Sequence, residues 1–239
     1  MFTGFTDETI RFFLDLRFHN YTEFFHENHD RYVETVQQPF YSLIEALSET
    51  ALRIDPMMEI RPHKCLSRIH RDTRFSRDKS PYRDHLWFLF RRAGEPREKS
   101  LFLFGEFGPE RLAWGMGVWG ENRELMDQFR RKMVANPDGT AAMIDDMDLP
   151  EHHLGLGGTS FRRIEIPEQI PSRLERWYRA KEIYVGKVEP EYDWAFSGRL
   201  VKEMRKDFLA LSPLYRTLRG IMDDTDMNRQ ASENERRIK

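Results

Sequence analysis

The stretch RIHRDTRFSRDKSPYR at positions 68–83 holds the residue types best suited to bind a negatively charged group. Over the slightly longer span 61–83 there are eight Arg or Lys and only two Asp, whereas the whole chain has a formal net charge of -2. Guanidinium groups bind phosphate and carboxylate oxygens through paired hydrogen bonds, and clustered cations without partners are costly. The stretch therefore predicts either an anion site or a loop held together by salt bridges.

The spacing of the charged residues along the stretch suggests which side chains lie on the same face. If residues 66–75 form a strand, positions 68, 70, 72 and 74 share one face. The segment that follows favours a turn, and Pro81 forces an extended exit. We expect Asp72 and Ser76 to orient the cations. The predicted ligand-binding residues are Arg68, Arg71, Arg74, Ser76 and Lys79.

Three functions stay open for this stretch. The first is binding of a phosphorylated or carboxylated ligand. The second is a hydrolase or transferase acting on a phosphate-containing substrate, in which the arginines stabilise developing charge and His70 or Asp72 moves the proton. The third is a structural or protein-interaction domain, in which Asp72 and Asp78 receive arginine forks and clasp the loop. Whether the protein is an enzyme is thus left open.

Other residues that could do chemistry have weaker patterns. His26 and His29 are three apart, whereas the zinc-protease motif needs histidines four apart, so a solvated helix face is favoured. His152 and His153 lie in a glycine-rich connection and are more simply part of a loop. Cys65 has basic neighbours that could stabilise a thiolate, but a small buried residue is favoured. We expect no bound metal and no cofactor.

The composition limits the partners and the location. The charges nearly cancel, so no general attraction to nucleic acid or anionic membrane is expected, and a small anionic ligand is favoured over nucleic acid. Neither a membrane span nor a signal peptide is predicted. A single cysteine excludes an internal disulfide and is typical of a reducing compartment. We expect a cytoplasmic protein, and the oligomeric state is left open.

The first fifty residues have helical spacing. Thr6 is a plausible N-cap, and the helix that follows is predicted to bury one face with Ile10, Phe13, Leu14 and Phe18. Asn20, with Glu23 three residues later, resembles a capping box that opens a second helix. Pro39 interrupts the pattern, which predicts a kink or two helices that meet near Gln38. These elements precede the basic stretch along the chain.

Later elements complete an α+β prediction. Strands are predicted at 86–90, 100–107, 111–119 and 161–167, and helices at 122–135, 168–184, 197–211 and 213–222. A long connection over 136–160 is expected to hold one short helix. The antiparallel sheet should comprise about residues 64–119 plus one later strand, packed by N-terminal and C-terminal helices. We expect one domain over 1–221 and a polar tail over 222–239, disordered or a frayed helix.

The basic stretch also resembles the signature of the domain of unknown function 2461 family, R-I-x-R-D-x-R-F-S-x-D-K-S-P-Y. The matching residues here are Arg68, Ile69, Arg71, Asp72, Arg74, Phe75, Ser76, Asp78, Lys79, Ser80, Pro81 and Tyr82. Supporting similarity includes Phe2, Gly4, Phe5, Asn20, Glu23, Phe25, Asn28, Tyr32, Pro39 and WGMGVW. Tyr21 and Phe24 stand where the family typically has Asn and Trp. The resemblance implies a shared fold and motif, but no reaction.

Overall fold

The computed structural model describes residues 2–96, 100–120, 122–189 and 193–238, with backbone alone for 226 and 228–238. Within this part of the chain, five strands form an antiparallel sheet in the order β1-β2-β3-β5-β4. The strands are β1 Leu86–Arg91, β2 Leu101–Gly108, β3 Arg111–Val118, β4 Gly155–Leu156 and β5 Tyr184–Glu189. The α+β class and the predictions for the first three strands are confirmed.

Helices make up about half of the chain. They are α1 Asp7–Phe18, α2 Thr22–Glu27, α3 His29–Tyr32, α4 Gln38–Ile54, α5 Pro62–Cys65, α6 Arg123–Ala135, α7 Pro137–Asp146, α8 Ser172–Arg179, α9 Arg199–Ala210 and α10 Ser212–Ile238. A π-helical turn at Val33–Gln37 leads directly into α4, and a 3-10 turn lies at Asp193–Phe196. Pro39 therefore lies in the first turn of α4, where a missing N–H costs little, and the predicted junction near Gln38 is confirmed.

The strand predicted at 161–167 is wrong, and the strands of the sheet that follow β3 are instead β4 and β5. None of the residues 161–167 is buried. The apolar side chains that alternate along this segment therefore do not form a buried face of a strand. Val118 at the end of β3 instead donates its N–H to the carbonyl of Ile183, next to β5. The helix predicted at 168–184 is correspondingly shorter and ends at Arg179.

The described residues divide into two compact units. Of the described residues, the first contains those within 2–93, 102–115 and 186–209, and the second contains those within 94–101, 116–185 and 210–238. One domain over 1–221 stays a prediction. Helix α10 extends to Ile238 and so includes most of the segment for which a disordered or frayed tail is predicted, while Lys239 lies outside the described residues.

The core of the first unit is rich in phenylalanine. The Phe5 ring stacks on Phe107 of β2, with centroids 4.1 Å apart, and meets Phe40 of α4 edge-on at 4.9 Å. The chain can enter this core because Gly4 has φ +126, and a Cβ there would lie 2.2 Å from the Phe196 carbonyl carbon. The packing fixes the N-terminal segment and α4 against the sheet.

Helix α1 buries a different face from the predicted one. Thr6 is the N-cap as expected, but the buried stripe consists of Thr9, Phe12, Phe13 and Leu16. Phe18, predicted to be buried, is 80% exposed. The stripe that faces the core is therefore shifted around the helix, and an aromatic ring is left in solvent at its end.

In the second unit, α6 follows its predicted pattern. The Asn122 side chain accepts a hydrogen bond from the Leu125 N–H and caps the helix. The predicted stripe is buried: Leu125, Met126, Phe129 and Met133. Arg130 of the same helix donates to the carbonyls of Tyr178 and Ala180, at 2.9 and 2.6 Å. These bonds satisfy orphan carbonyls at the end of α8 and tie it to α6.

Candidate anion-binding loop

The basic stretch at 68–83, called the basic loop from here on, begins at an edge of the sheet. The Ser67 N–H donates to the carbonyl of Trp87 in β1 at 2.8 Å, and the Ser67 hydroxyl accepts the Trp87 N–H at 3.1 Å. Leu66 forms a single antiparallel bridge with Phe88. Strand β1 is the outermost strand of the sheet order. These bonds fix the start of the basic loop and protect part of that edge.

The end of the basic loop is held by the turn between α1 and α2. The Asn20 amide donates to the Tyr82 carbonyl at 3.0 Å and accepts the Tyr82 N–H at 2.9 Å. The Phe25 ring stacks on the Tyr82 ring with centroids 4.3 Å apart. Asn20 is therefore not a helix cap, and the N-cap of α2 is Tyr21. Both hydrogen-bonding groups of the Asn20 amide are already bonded to the backbone of Tyr82, which is 62 residues later in the sequence.

A second anchor lies immediately after the basic loop. Arg17 of α1 donates from Nε to Asp84 and from Nη1 to Glu110, both at 2.6 Å. His85 Nδ1 lies 2.9 Å from the other Asp84 oxygen. Burial by itself raises the pKa of Asp84, but the bonds to His85 and Arg17 outweigh it and the pKa is lowered. The carboxylate thus ties α1 to the segment that leads into β1.

Backbone bonds close the basic loop on itself. The Arg71 N–H donates to the Pro81 carbonyl at 2.7 Å, and the Arg83 N–H to the Ile69 carbonyl at 2.9 Å. His70 and Tyr82 form an isolated antiparallel bridge between these bonds, while Ile69 and Tyr82 are buried. The predicted strand over 66–75 is therefore wrong. Only the base of the basic loop is paired, since the residues beyond it make their hydrogen bonds locally.

Both carboxylates of the basic loop are engaged by its own arginines. Asp72 accepts two bonds from Arg74, at 2.9 and 2.7 Å, which lower the pKa of Asp72 to about 2. Asp78 accepts bonds from the Ser80 hydroxyl and N–H and from Arg71, and these lower the pKa of Asp78. The predicted orienting role of Asp72 thus applies to Arg74, in a pair that is open to solvent.

The remaining cations divide into two kinds. Lys79 donates to the Thr73 carbonyl at 2.8 Å, and the Arg83 guanidinium lies 4.7 Å from the centre of the Trp87 ring. Arg68 and Arg77 are exposed and form no hydrogen bond or ion pair with any described residue. Arg77 was not among the predicted ligand-binding residues, although it belongs to the same charge-rich stretch. Of the predicted ones, Arg71 and Arg74 have protein partners, while Ser76 is half-buried and its N–H donates to Thr73.

The outer part of the basic loop also carries an exposed aromatic ring. Phe75 is 95% exposed, and the Arg74 guanidinium carbon lies 5.7 Å from the centre of its ring. An aromatic side chain this exposed buries no apolar surface within the first unit, so its contribution to stability is small.

The candidate catalytic pair is not brought together by hydrogen bonds. The His70 ring packs against Tyr82, with centroids 5.0 Å apart, and against Phe25 at 5.8 Å, while Asp72 is engaged by Arg74. Cys65 is buried, its thiol donates to the Glu59 carbonyl at 3.1 Å, and burial raises the pKa of Cys65 to about 12. A thiol with that pKa is protonated at neutral pH, which supports the favoured interpretation of a structural cysteine.

The other histidines contribute no cluster that could hold a metal. Across the described ranges, no three His, Cys, Asp or Glu side chains are grouped for that purpose. His26 and His29 are exposed, and His29 lies 3.8 Å from Asp30. His153 lies in a turn with φ 53. In the same described ranges, no helix is both long enough and apolar enough to cross a membrane.

Comparison with known proteins gives a family but no activity. Neither the curated proteins nor the solved structures contain a match to this chain. A family model described as "Conserved hypothetical protein (DUF2461)" matches residues 8–216. That range contains the two anchors of the basic loop, the whole loop and the five strands. The chain therefore belongs to the DUF2461 family.

Proposed function

We propose that the protein binds a phosphate-bearing ligand at the basic loop. One observation carries this proposal: both carboxylates of the basic loop are used by Arg71 and Arg74, while Arg68 and Arg77 remain exposed without partners in the described structure. Six Arg or Lys accompany two Asp in this segment, so the neutralised pairs leave an excess of positive charge. A phosphate with several oxygens is suited to such forked donors.

The cations have two roles in this proposal. Arg71 and Arg74 hold the conformation of the basic loop through Asp78 and Asp72. Arg68, Arg77 and the ammonium group of Lys79 contact the ligand. The clasp and the anion site, which are alternatives on sequence grounds, thus become two parts of one structure. In this proposal the protein binds its ligand in the cytoplasm and away from membranes, as the sequence analysis suggests.

A phosphate hydrolase or transferase is the less favoured alternative. His70 packs on aromatic rings, and no carboxylate is hydrogen-bonded to it within the described residues. General acid–base catalysis needs a group oriented within reach of the reacting atom. The contacts favour recognition of the ligand without chemistry.

The test is calorimetric titration of the full chain with inorganic tripolyphosphate. Arg68→Gln combined with Arg77→Gln should weaken binding roughly tenfold, because exposed ion pairs contribute up to about 1 kcal/mol each. The matched control is Arg162→Gln combined with Arg163→Gln, which removes the same charge from exposed positions elsewhere. Equal affinities for the two double variants would contradict the proposal, and so would no binding by the unmodified protein.

A further inference from the structure

Exposed aromatic side chains occur both in the outer part of the basic loop and near its base. Phe75 lies in its outer part and is 95% exposed. Near its base are Phe18, the last residue of α1, and Tyr21 in the turn between α1 and α2, which are 80% and 49% exposed. Neither group of rings is needed for the core of the first unit. Phe75 is two positions from the exposed Arg77, and exposed rings together with exposed cations are the combination that binds unpaired nucleobases and their phosphates.

The rings at the base form a connected surface. His19 stacks on Phe24 with centroids 5.2 Å apart and an interplanar angle of 29°, and Tyr21 meets both rings edge-on at 6.2 Å. We call His19, Tyr21 and Phe24 the aromatic cluster. Asn20 lies within this segment and holds the Tyr82 backbone by two hydrogen bonds. The aromatic cluster is therefore fixed beside the base of the basic loop.

The exposure of these groups indicates the size of the ligand. The cations Arg68, Arg77 and Lys79 and the Phe75 ring are all exposed side chains, which suits a polymer that lies across a surface. A ligand that stacks on Phe75 and on the aromatic cluster at the same time needs at least one base for each group of rings, and it is therefore longer than a mononucleotide. A duplex would hide the faces of its bases from these rings.

We infer that the phosphate-bearing ligand of the basic loop is single-stranded nucleic acid, whose bases stack on Phe75 and the aromatic cluster while Arg68, Arg77 and Lys79 bind its phosphates. This inference rests on the proposed function and adds the class of ligand. The near-neutral net charge of the chain is compatible with it, because the site uses a local excess of charge and a few stacked bases. Stacking tolerates different sequences, since every base has a π-face.

The experiment measures fluorescence anisotropy of a labelled single-stranded oligonucleotide of about twelve nucleotides with the full chain. Phe75→Leu, which keeps an apolar side chain but removes the ring, should weaken binding at least about fivefold. Tyr21→Leu, which removes an exposed ring of the aromatic cluster, should weaken it in the same direction. The matched control is Phe161→Leu, at a ring that is 36% exposed in the second unit, and it should bind as the unmodified protein does. The same sequence as a duplex should bind more weakly than the single strand.

Titration with tripolyphosphate separates failure of this inference from failure of the proposed function. Phe75→Leu should leave the tripolyphosphate affinity unchanged, because the ring binds bases. If Phe75→Leu and the unmodified protein bind the oligonucleotide equally, or if vesicles rich in phosphatidylserine are bound and the oligonucleotide is not, single-stranded nucleic acid is the wrong ligand class. The proposed function would still stand if tripolyphosphate binding depends on Arg68 and Arg77. Loss of that dependence would overturn both.

Discussion

Asn20 shows how a single side chain positions the candidate site. Its amide satisfies both the N–H and the carbonyl of Tyr82, and Tyr82 is 3% exposed. Buried backbone groups that lose their partners cost more free energy than an average hydrogen bond contributes. The side chain therefore stabilises the basic loop from a distant part of the sequence.

Replacing Asn20 by alanine should lower the free energy of unfolding by about 1–3 kcal/mol, because the Tyr82 N–H and carbonyl lose their partner. Urea denaturation of the full chain measures the change. Asn28→Ala is the matched control: among the described residues, the Asn28 amide donates to the Phe24 carbonyl alone, four residues earlier, and its loss should cost less. Equal costs for the two variants would show that Asn20 does not stabilise the basic loop as described.

As an element, the basic loop combines a paired base with a locally bonded outer part. Its base is fixed by backbone bonds and by the aromatic rings of Phe25 and Tyr82. Its outer part depends on the exposed pairs Asp72–Arg74 and Asp78–Arg71. Such exposed pairs are weak and screened by salt. We therefore expect the conformation of the outer part to be more sensitive to pH and salt than that of the base.

The pH dependence follows from the lowered pKa of Asp72. The pKa is about 2 in the folded chain, against an ordinary value of 3.8, so the Asp72–Arg74 pair contributes above about pH 4 and is lost as the pH falls toward 2. An NMR titration of the Asp72 carboxylate carbon should have its midpoint near 2. In Arg74→Gln the midpoint should move toward 3.8. A midpoint at the ordinary value in both proteins would refute the pairing.

The elements that could be predicted from the sequence are those with local signals. Strands β1 to β3 follow apolar runs bounded by turn residues, and Asn122 caps α6 as expected. The role of Asn20 could not be predicted, since a cap and a distant clamp use the same amide group. The partners of Arg71 and Arg74 depend on the path of the loop, which alternation does not fix. Phe18 was misplaced because a small change in helix rotation moves a terminal residue between core and solvent.

For the whole molecule, the distribution of charge matters more than its sum. The chain has 38 Lys or Arg and 40 Asp or Glu, so long-range attraction to polyanions is weak. The binding that we propose would then depend on a few contacts in the basic loop, each of which mutation can identify. Family membership over residues 8–216 includes every residue of this proposed site.

The most direct test observes the arginine side chains themselves. In an NMR titration of the full chain with tripolyphosphate, we predict that the Nε–Hε signals of Arg68 and Arg77 shift with a common saturation curve. The signals of Arg162 and Arg163, which are exposed elsewhere in the chain, should not move. If the signals of Arg68 and Arg77 stay unchanged, or if all four arginines shift equally, the basic loop is not a phosphate-binding site.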